Sequence, residues 1–282
     1  MDVRKDVSEF LASRRARISP ESVGLPNYGA HRRVPGLRRE EVAMLAGVSV
    51  DYYTRIERGH LDGVSESVLE AVIRVLQLDA TETAYLRNLA QLASIRKPST
   101  PKTKASTVRP GLVRLLESMD STPAYIRNGR LDIVAYNPLA RTMFNVLFDT
   151  DGQPINVARY FFLDPAAKDF FVEWDKIAED TVGVLRNEAG RDPFDKNLTN
   201  LIGELCTRSD FFRVRWAAHN VKDHSTGMKK FNHPSVGLLE VHYEAIPLKD
   251  EGLTLLTYVA EKGSASEDAI RLLGIEAAGV RA

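Results

Sequence analysis

The sequence predicts an all-helical domain over residues 1–95, followed by an α+β domain over residues 109–282. The first prediction rests on apolar residues that recur every three or four positions between short turns. The second rests on strand-like runs mixed with helical patterns, which favour an antiparallel sheet with helices over one face. Residues 96–108 contain mainly proline, serine, threonine and lysine, so we expect a basic linker there. A length of 282 residues agrees with two domains.

The first domain is predicted to contain five helices. Their apolar periodicity covers residues 6–16, 38–46, 49–58, 65–77 and 82–93. The prolines and glycines of residues 20–36 exclude a long helix between the first two. Ser49 and Ser65 stand where N-caps are expected, because a serine oxygen accepts hydrogen bonds from the free amides of a first turn.

The second domain is predicted to begin with a β-hairpin, in which Gly129 and Arg130 join residues 123–128 to residues 131–137. Helical patterns follow at residues 138–148, 156–163, 166–190 and 194–219. Three further strands are predicted at residues 227–234, 236–248 and 253–261, and a short helix at residues 266–275. Two strands, several helices and three strands make an α+β domain.

Composition excludes several classes of protein. The apolar share of 44% and the charged share of 27% are ordinary for a folded globular chain. No run approaches about 18 apolar residues, and the charged N-terminus lacks the apolar run of a signal peptide. Cys206 is the single cysteine, which excludes an internal disulfide and fits the reducing cytoplasm where we expect the protein.

The charges are unevenly distributed although they sum to zero. Residues 1–60 carry 11 basic and 8 acidic side chains, whereas residues 109–282 carry 21 and 25. The basic first domain favours a nucleic-acid partner.

Residues 36–59, GLRREEVAMLAGVSVDYYTRIERG, have the pattern of a helix-turn-helix. Such a motif needs a small residue between its helices, which Ala43 supplies, and a turn residue that tolerates positive φ, which Gly47 supplies. Tyr53 and Ile56 are spaced to bury one face of the second helix, and Gly59 is expected to end it.

The opposite face of the second helix suits the major groove of DNA. We expect Arg55 to bond guanine, Asp51 to accept from cytosine, and Val50 to touch a thymine methyl group. Thr54 shares this outward face. The residues predicted to contact phosphates are Arg32, Arg33, Arg38, Arg39, Ser49 and Arg58. Two alternatives stay open: the helix pair could be an ordinary αα-hairpin, and Asp51 is also spaced to pair with Arg55.

Residues 38–93 resemble the Cro/C1-type (XRE) helix-turn-helix family, chiefly through REEVAMLAGVSVDYYTRIERG. Beyond the linker, the chain resembles the ligand-binding domain of MmyB-like regulators in segments that include PAYIRNGRLDIVAYNPLAR, GELCTRSDFFRVRWAAH and HPSVGLLEVHYE. The resemblance implies a PAS-like fold for the second domain. It also implies that fatty-acid-like or other small apolar ligands bind there.

A sensor domain should hold a pocket lined by aromatic groups with a few polar anchors. The candidates are Phe144, Trp174, Trp216, His219 and Tyr243. A core of this size buries about as many aromatic residues in any case, so the aromatic candidates could belong to it, and His219 could merely fix its loop. His219, His224, His233 and His242 lack the spacing typical of metal ligands, so we expect no metal and no cofactor.

No nucleophile elbow, phosphate-binding loop or dinucleotide motif is present, and Cys206 is expected to be a small buried hydrophobe, so we expect no enzyme. The residue patterns therefore predict a transcriptional regulator that acts as a homodimer on a DNA operator, and the family resemblance implies that it responds to a small apolar ligand. Two alternatives stay open: an enzyme tethered to DNA, and a second domain that only dimerises or docks a protein.

Overall fold

A computed structural model describes residues 2–26, 34, 36–94, 108–148, 154–223, 226–248 and 252–279. The chain divides into two compact units. The helical unit consists of Met1–Pro101, Arg186–Thr199 and Arg215–Lys222, and the sheet unit consists of Lys102–Leu185, Asn200–Val214 and Asp223–Ala282.

The helical unit contains the five predicted helices. They are α1 (Val3–Arg17), α2 (Arg39–Ala46), α3 (Val50–Glu57), α4 (Glu66–Val75) and α5 (Ala80–Ser94). The predicted loop holds only a single 3-10 turn, Pro20–Val23, among its described residues. Phe10, Leu11, Val42, Tyr53 and Leu86 are fully buried in one apolar core. Burial of these side chains is the main source of stability for such short helices, each too short to be stable alone.

Two later segments of the chain also belong to the helical unit. Arg186 is 2% exposed, and its guanidinium lies 3.5 Å from the carboxylate of Asp6 and 3.7 Å from the ring centre of Trp216. Gly190 packs so closely that a Cβ there would stand 2.2 Å from the ring of Tyr85. These segments therefore supply core contacts to α1 and α5.

The sheet unit contains one five-stranded antiparallel sheet. Its strands are β1 (Ala124–Asn128), β2 (Ile133–Tyr136), β3 (Thr226–His233), β4 (Gly237–Leu248) and β5 (Leu253–Val259), in the order β2-β1-β5-β4-β3. The other helices among the described residues are α6 (Pro110–Glu117), α7 (Pro138–Met143), α8 (Asn145–Phe148), α9 (Val157–Leu163), α10 (Ala166–Phe170), α11 (Trp174–Arg191), α12 (Lys196–Arg208), α13 (Asp210–Ala217) and α14 (Ala265–Gly279). Both the predicted hairpin and the predicted α+β class are confirmed.

The sheet presents two different faces. Tyr125, Tyr243, Tyr258 and Phe231 share one face, because they lie at matching positions of paired strands. Phe144 packs its ring edge-on against three of these rings at centroid distances of 4.9–5.9 Å. The other face is partly covered by α6, whose Leu116 joins Ile126, Leu253 and Leu255 in a separate apolar cluster.

The prediction of one helix over residues 166–190 is wrong. Phe171 is extended and forms a β-bridge with Phe231, and the Val172 amide donates to the Lys230 carbonyl at 3.2 Å. This contact with the edge strand β3 separates α10 from α11. The predicted helix over residues 194–219 is likewise divided at Ser209, whose side chain accepts from the Phe212 amide and so caps α13.

Candidate functional site

The turn between α2 and α3 has the predicted geometry. Gly47 ends α2 with φ of 70°, in the left-handed region. Ser49 then caps α3, its hydroxyl oxygen accepting from the Tyr52 amide at 3.1 Å. The two residues fix the end of one helix and the start of the next, so α3 has a defined direction.

The two faces of α3 differ sharply in burial. Tyr53 and Ile56 are 0% and 1% exposed, and they share an apolar core with Ala43 of α2. On the opposite face, Val50 and the side chain of Arg55 are 47% and 53% exposed. Asp51 is exposed and Thr54 is half-buried. All four predicted base-reading residues therefore lie on a face that a DNA groove could meet.

A buried carboxylate joins the helices around this face. Glu57, at the end of α3, accepts from Arg15 of α1 at 2.8 and 2.9 Å and from Arg39 of α2 at 3.1 and 3.2 Å. Burial alone would raise the pKa of Glu57, but the two guanidinium groups hold it below its ordinary value. The network fixes α3 relative to α1 and α2.

The predicted phosphate-contacting residues that the structure describes lie in α2 or at the ends of α2 and α3. Arg39 is half exposed, so its guanidinium can meet a phosphate while it stays bonded to Glu57. Arg38 is the N-cap of α2, its amide donates to the Glu41 carboxylate at 2.6 Å, and its side chain is 46% exposed. Arg58 is exposed at the end of α3. Arg32 and Arg33 lie outside the described residues.

Arg55 makes an ion pair beyond its own helix. Its guanidinium lies 3.7 Å from the carboxylate of Asp62, and both side chains are more than half exposed. An exposed pair of this kind contributes little to stability. Arg55 therefore lies at the outward face of α3, and its weak pair with Asp62 leaves the guanidinium able to bond another group.

The sheet unit contains a cavity of about 200 Å³ between the sheet and α11. Its floor is formed by Tyr125 and Arg127 of β1, Lys229 of β3 and Tyr243 of β4. Helix α11 contributes Ile177, Asp180 and other residues of the wall. Arg127 and Lys229 are 5% and 9% exposed, so two basic side chains are buried at the floor.

The electrostatics of the cavity are set by these basic groups. Burial, reinforced by the charge of Arg127, lowers the pKa of Lys229 to about 7, while Asp180 acts in the opposite direction. The Lys229 ammonium lies 4.3 Å from the ring centre of Tyr243. Sequence reasoning missed Arg127 and Lys229. Side chains alternate along β3, so Lys229 lies on the same face as the buried Phe231. A lysine at such an inward position was the sequence feature that could have indicated a buried polar site.

The five predicted ligand-binding residues are in different surroundings. Tyr243 lines the cavity, and Phe144 lies in the aromatic core of the sheet unit. Trp174 donates from its indole N–H to the Phe161 carbonyl at 3.1 Å. Trp216 and His219 belong to the helical unit, where Trp216 stacks on Arg186 and the His219 Nε2 lies 3.0 Å from the Glu9 carboxylate.

Cys206 is half-buried, not fully buried. Among the residues that the structure describes, no three histidine, cysteine or acidic side chains are grouped as a metal site. None of the described helices is long and apolar enough to cross a membrane.

The capped turn between α2 and α3 and the single buried face of α3 define a helix-turn-helix. A helix-turn-helix domain model matches residues 7–86, and a model described as "MmyB-like transcription regulator ligand binding domain" matches residues 108–273. The second match covers more than half of the chain, which therefore belongs to the MmyB-like family, as an XRE-type helix-turn-helix transcription regulator. Both models describe regulator domains and neither describes an enzyme. A search of curated proteins found no match.

Proposed function

We propose that the protein is a cytoplasmic, dimeric transcriptional regulator that reads a specific DNA operator with α3 and responds to a small apolar effector. The observation that carries the proposal is the outward face of α3, on which Val50, Asp51 and Arg55 are exposed and Thr54 is half-buried. Glu57 fixes the helix from its buried side. A rigid helix with a polar outward face meets the geometric need of major-groove recognition.

Each outward side chain has a chemical partner in the groove. Arg55 donates two hydrogen bonds to O6 and N7 of guanine, Asp51 accepts from N4 of cytosine, and Val50 contacts a thymine methyl group. Arg38, Arg39, Ser49 and Arg58 hold the neighbouring phosphates, as do Arg32 and Arg33 of the preceding segment.

The proposed dimer places two copies of α3 about one helical turn of DNA apart. An effector that binds one arrangement of the protein more tightly shifts the population toward it and so changes how well both reading helices fit. The cavity of the sheet unit supports an effector, and a fatty-acid-like molecule is one candidate. The alternative is a sheet unit that only dimerises or docks a protein.

The proposal is tested by selecting duplexes from a random library with the full-length chain and sequencing those that bind. We expect an inverted repeat with half-sites about 10 base pairs apart, centre to centre. Enrichment of a single half-site would contradict the dimer, and no enrichment would contradict sequence-specific binding. Mass spectrometry of the denatured protein then identifies any small molecule that co-purifies in stoichiometric amount.

A further inference from the structure

Asp62, in the loop between α3 and α4, contacts a side chain of the outward face of α3. Its carboxylate lies 3.7 Å from Nη2 of Arg55, and its backbone carbonyl oxygen lies 3.5 Å from the same nitrogen. Both oxygens therefore attract one end of the guanidinium. Asp62 is thus an acidic residue outside α3 that meets the arginine proposed to read a base.

The backbone on both sides of Asp62 is held in place. Leu61 is 2% exposed and belongs to the apolar core of the helical unit. The Val64 amide donates to the Leu61 carbonyl at 3.2 Å and closes a four-residue turn that contains Asp62. The His60 amide donates to the Arg55 carbonyl at 3.2 Å, which ties the loop to α3. The Asp62 carboxylate therefore extends from a backbone that is fixed relative to α3.

The guanidinium of Arg55 can meet Asp62 and a guanine at the same time. Its contacts with Asp62 involve Nη2, which carries two N–H groups. One of them can face Asp62 while the other, with an N–H of a neighbouring nitrogen, donates to O6 and N7 of guanine. A side chain restrained in this way loses less conformational entropy when it binds the base. The contact with Asp62 thus favours the pair with guanine.

The charge of Asp62 has a second effect on DNA binding. A carboxylate near the DNA surface repels phosphates on every duplex, whatever its sequence. At a site with guanine, the restrained Arg55 offsets this repulsion with two hydrogen bonds. At a site with another base, the repulsion stays and the two bonds are lost. Asp62 should therefore increase the difference between sites more than it increases affinity.

We propose that Asp62 is a specificity-determining residue that positions the Arg55 guanidinium for one base pair of the operator. The inference rests on the proposed function, in which α3 reads DNA. It adds a residue outside α3 to those that decide which sequence is bound.

Equilibrium binding of the full-length chain tests the inference, by fluorescence anisotropy at one salt concentration. The two duplexes are the selected operator and the same operator changed at the base pair where Arg55→Ala flattens the preference. Asp62→Asn keeps the size of the side chain and removes its charge. We expect it to lower the ratio of the two affinities about threefold, which is within the range of an exposed ion pair. An unchanged ratio would overturn the inference. Asp62→Ser serves as a second variant if Asp62→Asn does not fold.

Two controls separate positioning from a general effect of charge. In the Arg55→Ala background, Asp62→Asn should leave the ratio unchanged, because no guanidinium remains for it to position. Glu66→Gln also removes an exposed carboxylate, but Glu66 pairs with Arg87 of α5, so this variant should keep the wild-type ratio. A threefold fall in either control would overturn the inference.

Failure here is distinguishable from failure of the proposed function. The wild-type chain is also assayed on a scrambled duplex. Preference for the operator over this duplex, with an unchanged ratio in Asp62→Asn, rejects only the role of Asp62. If Arg55→Ala flattens the preference at no base pair, Asp62 has no base-reading side chain to position and the inference is again overturned. Equal binding of operator and scrambled duplex by the wild-type chain rejects the proposed function.

Discussion

The carboxylate of Glu57 accepts two hydrogen bonds from the guanidinium of Arg15, although the two residues are 42 positions apart in the chain. The Glu57 side chain is 1% exposed and that of Arg15 is 15% exposed. Because Glu57 ends α3 and Arg15 lies in the last turn of α1, this pair fixes α3 to α1. Arg39 adds a third side chain from α2.

Glu57→Gln should destabilise the helical unit by about 3 kcal/mol, because it leaves the partly buried charge of Arg15 without its partner. Glu66→Gln is the control, since Glu66 pairs with Arg87 on the surface and its side chain is 69% exposed. The control should cost about 1 kcal/mol or less. Urea unfolding followed by circular dichroism measures both, and similar losses in the two variants would contradict a structural role for Glu57.

Arg55→Ala should weaken binding to the selected operator by about 1–3 kcal/mol and flatten the preference at one base pair. The reason is the loss of two hydrogen bonds to guanine, which other bases do not offer to arginine in the same geometry. Fluorescence anisotropy with operators changed one pair at a time measures the preference. An unchanged preference at every position would show that Arg55 does not read a base.

Arg39→Ala should weaken binding to all duplexes and reduce the slope of log affinity against log salt by about one. A phosphate contact carries no sequence information, so operator and unrelated DNA should lose affinity together. Arg15 keeps its bonds to Glu57 in this variant, which preserves the fold of α3. A loss confined to the operator would contradict the phosphate assignment.

Substitution by alanine should destabilise the protein to different extents at the two glycines that flank α3, Gly47 and Gly59. Gly59 has φ of 86°, and a Cβ there would stand 2.2 Å from the Arg4 carbonyl oxygen. Gly47 has φ of 70° with nothing within 4 Å of the added carbon. Gly47→Ala should cost about 1 kcal/mol and Gly59→Ala roughly 3 kcal/mol, since only the second adds a clash. Equal midpoints in urea unfolding would contradict the close approach to α1.

The free energy of unfolding should rise with pH between pH 7 and about pH 9, because Lys229 loses its proton near pH 7 when folded and near its ordinary value of 10.5 when unfolded. The unfolded chain binds more protons across this window. Arg127, Asp180 and Tyr243 face the same ammonium group. Lys229→Met should reduce the rise and Lys230→Met should retain it, as measured by urea unfolding at several pH values. An identical slope in wild type and Lys229→Met would contradict the burial of a titrating Lys229.

The start of α3 and its buried face could be predicted from the sequence, because both depend on neighbouring residues. Gly47 ends α2, Ser49 caps α3, and the spacing of Tyr53 and Ile56 identifies the buried face of α3. Each of these features depends only on residues within a few positions of one another. The strand runs were predictable for the same reason. The contacts that could not be predicted are distant in sequence, as in the bond between Val172 and Lys230 that interrupts a helical pattern.

The cavity could not be predicted from the sequence either, because its residues are distant from one another in the chain. Arg127 and Lys229 come together only because β1 and β3 belong to one sheet, in an order that local patterns do not specify. The sequence could not show which of the candidate aromatic residues line a cavity and which belong to a core. Phe144, in a core, and Tyr243, at a cavity, have the same local pattern. Burial of Arg186 beside Asp6 likewise depends on residues 180 positions apart.

Recognition of one DNA sequence by this chain can be measured as a difference in affinity between two duplexes. The most direct measurement is the equilibrium affinity of the full-length protein for its selected operator and for a scrambled duplex of equal length and composition, at one fixed salt concentration. We expect the operator to bind more tightly than the scrambled duplex by a factor of about 10³ or more. Equal affinity for the two duplexes would contradict it.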